Sequence, residues 1–160
     1  MEIRKFEGNA AMKWFKLRNP IKILFNSFWI SILKCFPPSE IKNSLYRSLL
    51  GVKIGKDVAI SPDVILDPFF PELIEIGDGT LIGWGTRIFT HEFHLDNVLI
   101  DEIKIGKKVL IGGFSVIRPG IKIGDKSIVQ SNSYVNKSVK KYDVVGGIPI
   151  KSIKHKFLEK

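Results

Sequence analysis

Aliphatic residues recur at every sixth position over about ninety residues of this chain, opening units at Ile54, Ile60, Ile76, Ile82, Ile88, Ile105, Ile111, Ile117, Ile123, Val129 and Val135. The second residue of a unit is often Gly (55, 77, 83, 106, 112 and 124), and the fifth is usually small or β-branched, as at Val58, Thr80, Ser115 and Ser133. A period of six matches neither the 3.6 of a helix face nor the alternation of a hairpin sheet. It fits one short strand and a corner per unit, and such a unit buries its aliphatic residue only when successive turns stack. The pattern predicts an all-β solenoid, a parallel β-helix. The register breaks twice. From Ile60 to Ile76 the step predicts a bulge around Pro68–Glu75, and between Ile88 and Ile105 the segment THEFHLDNVLIDE replaces pattern with charge and histidine. Solenoid insertions form loops on one face and commonly carry the site, so residues 90–104 are the expected active-site loop.

Ahead of the repeats the pattern changes. Ile21–Phe36 is the most apolar stretch, yet it is short and contains Lys22 and Lys34, too little for a membrane span. On a helix, Ile21, Phe25, Phe28, Ile32 and Cys35 share a stripe flanked by Trp29 and Phe36. Pro37-Pro38 ends that helix, Ser39 caps a second, and Gly51 closes it. Two roles fit the first helix: a cap on the open end of the coil, or a peripheral membrane contact through residues 13–36 with Trp14, Phe15 and Trp29 as anchors. The expected organisation is a helical segment 1–51, a coil 52–145 and a C-terminal turn and tail or short helix 146–160. Repeats touch only their neighbours, so the coil is expected to fold without residues 1–38.

Composition narrows the chemistry. At 160 residues with 44% hydrophobic content, the chain suits one domain with a sizeable core. A lone Cys35 provides no disulfide framework and agrees with a cytoplasmic setting, and no signal-peptide cleavage site follows the apolar stretch. The net charge of +9 is unevenly spread: residues 57–103 hold ten acidic groups and one basic, and basic blocks lie on either side. That polarity, with no nucleic-acid motif, argues against nucleic acid as a partner. The three histidines, His91, His94 and His155, are spread from the loop to the tail, so no metal is expected.

Three stretches, IEIGDGTLIGWGTRIFTHEF at 74–93, VLIGGFSVIRPGIKIGDKSIV at 109–129 and VVGGIPIKSIK at 144–154, resemble the hexapeptide-repeat acyltransferases of the left-handed β-helix class, in particular those that O-acetylate sugars and cell-surface glycans. The resemblance spans about Asn43–Ile153. It implies a left-handed coil, acetyl-CoA as co-substrate and a homotrimer with sites at subunit boundaries. It places His91 as the catalytic histidine, Gly113 and Ser131 where backbone amides meet coenzyme A, and Lys151 near the coenzyme's phosphates with Lys154 beside it. The chain departs from the family's usual residues at Leu110, at Ser131-Asn132-Ser133 and at Pro149-Ile150.

The chemistry of His91 also stands without that resemblance. A hydroxyl attacking a thioester needs a base that titrates near working pH, which imidazole supplies. Glu92, or Asp96, is positioned in sequence to hold one ring nitrogen. His94 is the alternative base or a substrate contact, and Trp84 and Phe93 are candidates to stack on a sugar ring. No nucleophile motif points to a covalent enzyme intermediate. The expected activity is transfer of an acetyl group from acetyl-CoA to a sugar or glycan hydroxyl, with His91 as general base. N-acetylation of an amino sugar and a non-catalytic scaffold remain the other readings.

Overall fold

The computed structural model describes residues 1–153, so Lys154 and His155 lie outside the described residues. The chain opens with β1 (Glu2–Lys5), a 3-10 segment (Ala10–Lys16), α1 (Pro20–Leu33) and α2 (Glu40–Leu50). Asn19 caps α1 by accepting from Ile21 N, with Pro20 in the first turn, where its missing N–H costs nothing. Ser39 accepts from Lys42 N to cap α2, and Gly51 ends it at φ +73°, a conformation that suits a residue without Cβ.

Four turns of short parallel strands follow. The first comprises β2 (Lys53–Ile54), β3 (Ala59–Ile60) and β4 (Ile65–Leu66), and the second β5 (Ile74–Ile76), β6 (Leu81–Ile82) and β7 (Arg87–Ile88). A hairpin of β8 (His91–Phe93) and β9 (Asn97–Ile100) interrupts them. The third turn is β10 (Ile103–Ile105), β11 (Leu110–Ile111) and β12 (Val116–Ile117), and the fourth β13 (Lys122–Ile123), β14 (Ile128–Val129) and β15 (Tyr134–Val135). Finally β16 (Val144–Gly146) adds to β14, and β17 (Lys151–Ser152) folds back antiparallel on β16.

Each strand pairs with the one in the same position of the next turn, giving three parallel ladders around a single core. The first sheet aligns Ile54, Ile76, Ile105 and Ile123. The second aligns Ile60, Ile82, Ile111, Val129 and Val145, and the third Leu66, Ile88, Ile117 and Val135. These residues are buried, and each contributes roughly 1.5–3 kcal/mol of apolar burial. Fifth-position hydroxyls at the corners are satisfied locally: Ser115 Oγ donates to Gly112 O at 2.8 Å and Thr80 Oγ1 to Gly106 O at 2.8 Å.

The second-position glycines are not the residues with left-handed backbone. Left-handed backbone sits at the fourth position of a unit, where Asp57, Asp63, Lys108, Phe114, Lys126 and Asn132 adopt it as well as Gly79 and Gly85. The second-position glycines are required by stacking instead. A Cβ on Gly83 would stand 2.4 Å from Gly113 N, and one on Gly112 2.3 Å from Ser131 N.

The helices close the lower end of the coil. Ile30 and Leu33 of α1, with Tyr46 and Leu50 of α2, join the coil's core. Lys42 is buried there with its amine donating to Phe36 O, Ile60 O and Ser61 O, and burial pushes that amine down to about 8. The stripe predicted to dominate α1 is not the one that packs. Ile23, Asn26, Ile30 and Leu33 face inward, leaving Ile21, Phe25 and Phe28 outside.

Candidate active site

Both breaks in register contribute to one place. The chain between β4 and β5 carries Asp67 and a short 3-10 turn (Pro71–Leu73), which is the bulge the sequence predicts. The chain leaving β7 runs through Thr90 into His91, the first residue of β8. Asp67 Oδ2 lies 2.5 Å from His91 Nδ1 and also accepts from Thr90 N at 2.8 Å and His91 N at 3.0 Å. Oδ1 accepts from Phe69 N at 2.7 Å. Asp67 is fully buried. Burial pushes its carboxyl up, but the hydrogen bond and charge of His91 with the Phe69 and Thr90 amides outweigh this and hold it below the usual carboxylate range.

Packing holds the imidazole as well. Phe69 lies 4.3 Å from the ring between centroids, and Phe93 meets it edge-on at 5.1 Å and 85°. The backbone is tied as well, because β8 pairs with β9 (His91 opposite Ile100) and β9 pairs with β1. With Nδ1 committed to Asp67, Nε2 is the nitrogen available to take a proton. His91 lines a cavity of about 180 Å³ with Glu92, Arg118 and Tyr134 over a floor of Phe89, Val116 and Pro119. A larger, open depression of about 500 Å³ over the first sheet is lined by Arg47, Glu75, Asp78 and Lys107. It holds no histidine, and its Lys107 is paired with Asp78 at 2.9 Å.

The other sequence-derived candidates divide into three groups. Glu92 does not hold the imidazole; its carboxylate takes the Arg118 guanidinium, with Arg118 Nε at 2.8 Å and Nη2 donating to the same oxygen. Neighbouring side chains on β8 diverge, so Glu92 reaches Arg118 while His91 Nδ1 reaches Asp67, and both still border the cavity. Asp96 does not hold it either: it lies exposed in the hairpin turn and accepts from Asn97 Nδ2. His94 is also exposed in that turn, its N–H donating to Asn97 O. Phe93 is packed into the wall beside His91 and Phe69 rather than presenting a free face.

Trp84, Gly113 and Ser131 stack at the corner where the chain enters the third sheet, and Phe114 N donates to Trp84 O at 2.7 Å. His91 follows the corner where it leaves that sheet, so the width of the sheet separates the two groups within one chain. Lys151 is exposed on β17, opposite Gly146.

Sequence reasoning missed Asp67, Phe69, Arg118 and Tyr134. The sequence marks Asp67 only as an acidic residue just before the Pro68 that opens the first break, and nothing local pairs it with His91.

Comparison with known proteins places the chain in a family. Residues 102–137 match the family described as bacterial transferase hexapeptide (six repeats). Over 133 residues the chain is 38% identical to "Putative acetyltransferase YvoF" of Bacillus subtilis, covering 83% of this chain and 77% of that protein. The chain belongs to the hexapeptide-repeat acetyltransferases. A hexapeptide-repeat acetyltransferase of Vibrio cholerae, solved in complex with acetyl coenzyme A, superposes with a TM-score of 0.70 at 26% identity over 91% of this chain and 90% of that one. A galactoside acetyltransferase solved with coenzyme A shares the fold, with a TM-score of 0.64 at 24% identity over 85% and 81% of the two chains. In this acetyltransferase the repeat supplies the frame, and both register breaks supply the hydrogen-bonded Asp67–His91 pair within it.

Proposed function

We propose that this acetyltransferase transfers an acetyl group from acetyl-CoA to a hydroxyl of a sugar or glycan precursor, with His91 as general base. The observation that carries the reading is the buried Asp67 carboxylate on His91 Nδ1, which fixes the tautomer that leaves Nε2 basic at the cavity. As the acceptor oxygen bonds to the thioester carbon, its proton passes to Nε2. Asp67 stabilises the resulting imidazolium, and when the carbon–sulfur bond breaks Nε2 returns that proton to the leaving thiolate. Arg118, held by Glu92, and Tyr134 border the cavity as polar contacts for an acceptor. The backbone of Gly113 and Ser131 with Lys151 forms the coenzyme contact, as the family resemblance implies, on a coil of left-handed winding. Because that corner and His91 lie at opposite edges of the third sheet, the site is completed between copies, in a homotrimer.

The test is a thiol-release assay with acetyl-CoA across acceptors bearing only hydroxyl groups, only amino groups, or both. Release with hydroxyl acceptors is expected, and His91→Ala should lower kcat by a factor on the order of 100 to 10,000 with an unchanged circular dichroism spectrum. A His91→Ala variant of near-native rate, or transfer confined to amines, overturns the reading.

A further inference from the structure

Helix α1 is apolar on two faces. One enters the core, whereas Ile21, Leu24, Phe25 and Phe28 form a second stripe in solvent, with Ile21 77%, Leu24 65% and Phe28 59% exposed. A helix that needs no more than its own domain keeps its outer face polar, so this stripe marks a surface with another partner. An apolar groove of about 140 Å³ between α1 and α2 adjoins it, with Trp29, Ile32 and Phe36 among its walls. The preceding 3-10 segment adds exposed Met12, Trp14 and Phe15.

Charge identifies the partner. From Gly8 to Ser39 the sequence has five Lys or Arg and no Asp or Glu. Arg18 and Lys34 are engaged by Glu72 and Asp63. Lys16 is exposed beside Phe15, and Lys22 stands 5.1 Å from the centre of the Phe25 ring, on the stripe itself. Cations interleaved with aromatic and aliphatic side chains suit the boundary between anionic headgroups and acyl chains, where an apolar face enters and lysines remain at the phosphates. No described helix is long and apolar enough to cross a membrane, which leaves an in-plane arrangement. We propose that the outer face of α1, with the 3-10 segment before it, docks in the interfacial layer of an anionic phospholipid bilayer.

The experiment uses the full chain in co-sedimentation with vesicles of phosphatidylcholine, with and without about one third phosphatidylglycerol. Pelleting is expected with the anionic vesicles, weakening as salt is raised, and little with phosphatidylcholine alone. Leu24→Gln combined with Phe28→Gln, both exposed, should abolish pelleting while the circular dichroism spectrum is retained. Lys16→Gln combined with Lys22→Gln, which leaves every apolar contact intact, should weaken binding roughly 30-fold. No pelleting above the phosphatidylcholine background, or a Leu24/Phe28 variant that pellets as the parent does, overturns the proposal. So does a Leu24/Phe28 variant whose sedimentation velocity reports a changed oligomer, since the stripe would then lie between copies of the chain.

Discussion

At neutral pH the Asp67 carboxylate stays ionised although its side chain is fully buried, because the His91 ring and four backbone N–H groups surround it. Its titration position has a signed consequence for stability. The folded carboxyl lies below its unfolded value of about 3.9, so the ionised form stabilises the fold above that pH, and the contribution is lost as pH falls through the folded value. Asp67→Asn should therefore lower the denaturation midpoint at pH 7, and the gap from the parent should close on acidification below about pH 4. The same variant replaces an acceptor-only carboxylate with an amide whose NH2 can donate to Nδ1, so the His91 tautomer is no longer fixed. Its kcat should fall by about 100-fold or more with little change in the KM for acetyl-CoA, while an equal rise in KM alone would assign Asp67 to binding. At this scale the sequence singles out His91 by its chemistry and its position in the second register break. It was not legible for Asp67, because the two lie 24 residues apart and are joined only when two register breaks meet at the same corner. Proximity in sequence favoured Glu92 and Asp96, but strand alternation turns one away and the hairpin carries the other to its tip.

Among the elements, the hexapeptide turns were the most legible part, since a period of six with an aliphatic at its head admits one packing solution. Leu66 escaped the count because the bulge after it displaces the next unit, yet it holds the third-sheet position below Ile88. The sheet of β1, β9 and β8 was not legible: it pairs residues 2–5 with 97–100, and no local pattern encodes a partner so distant. The two kinds of glycine predict opposite tolerances. Gly112→Ala pushes a methyl into the backbone of the next turn and should cost about 1–3 kcal/mol or more, read as a lower urea midpoint. Gly79→Asn asks only for φ +66°, which Asp57 and Asn132 already adopt elsewhere in the coil, so it should cost distinctly less. Equal losses at the two positions would mean that backbone conformation, not stacking distance, selects the glycines.

For the whole molecule, the amino-terminal segment is more deeply built in than neighbour-only contacts suggest. Asn26 Nδ2 donates to Pro68 O at 2.8 Å and Arg18 Nη1 to Phe69 O at 2.5 Å, so the helical segment grips the very insert that presents Asp67. Ile30 and Leu33 also share the coil's core, so removing residues 1–38 strips apolar cover as well as that grip. The acid-rich middle of the chain, plain in the sequence, includes both Asp67 and Glu92, although only the folded structure shows which of them meets the imidazole. The site proposed to be shared between copies predicts a trimer by sedimentation equilibrium at micromolar concentration. A stable monomer with full activity would require the Gly113–Ser131 corner and His91 to serve within one chain. Finally, a stack of near-identical turns is by its geometry an unfinished polymer, since every turn offers the next the same ladder of hydrogen bonds. Here the growth is stopped chemically at both limits. The Lys42 amine occupies carbonyls of the first turn at Ile60 and Ser61, and β17 reverses direction over β16, so the second sheet ends in a strand of the wrong polarity for another parallel turn. The length of this molecule is thus written in its two ends, and the repeats between them set only how far apart those ends stand.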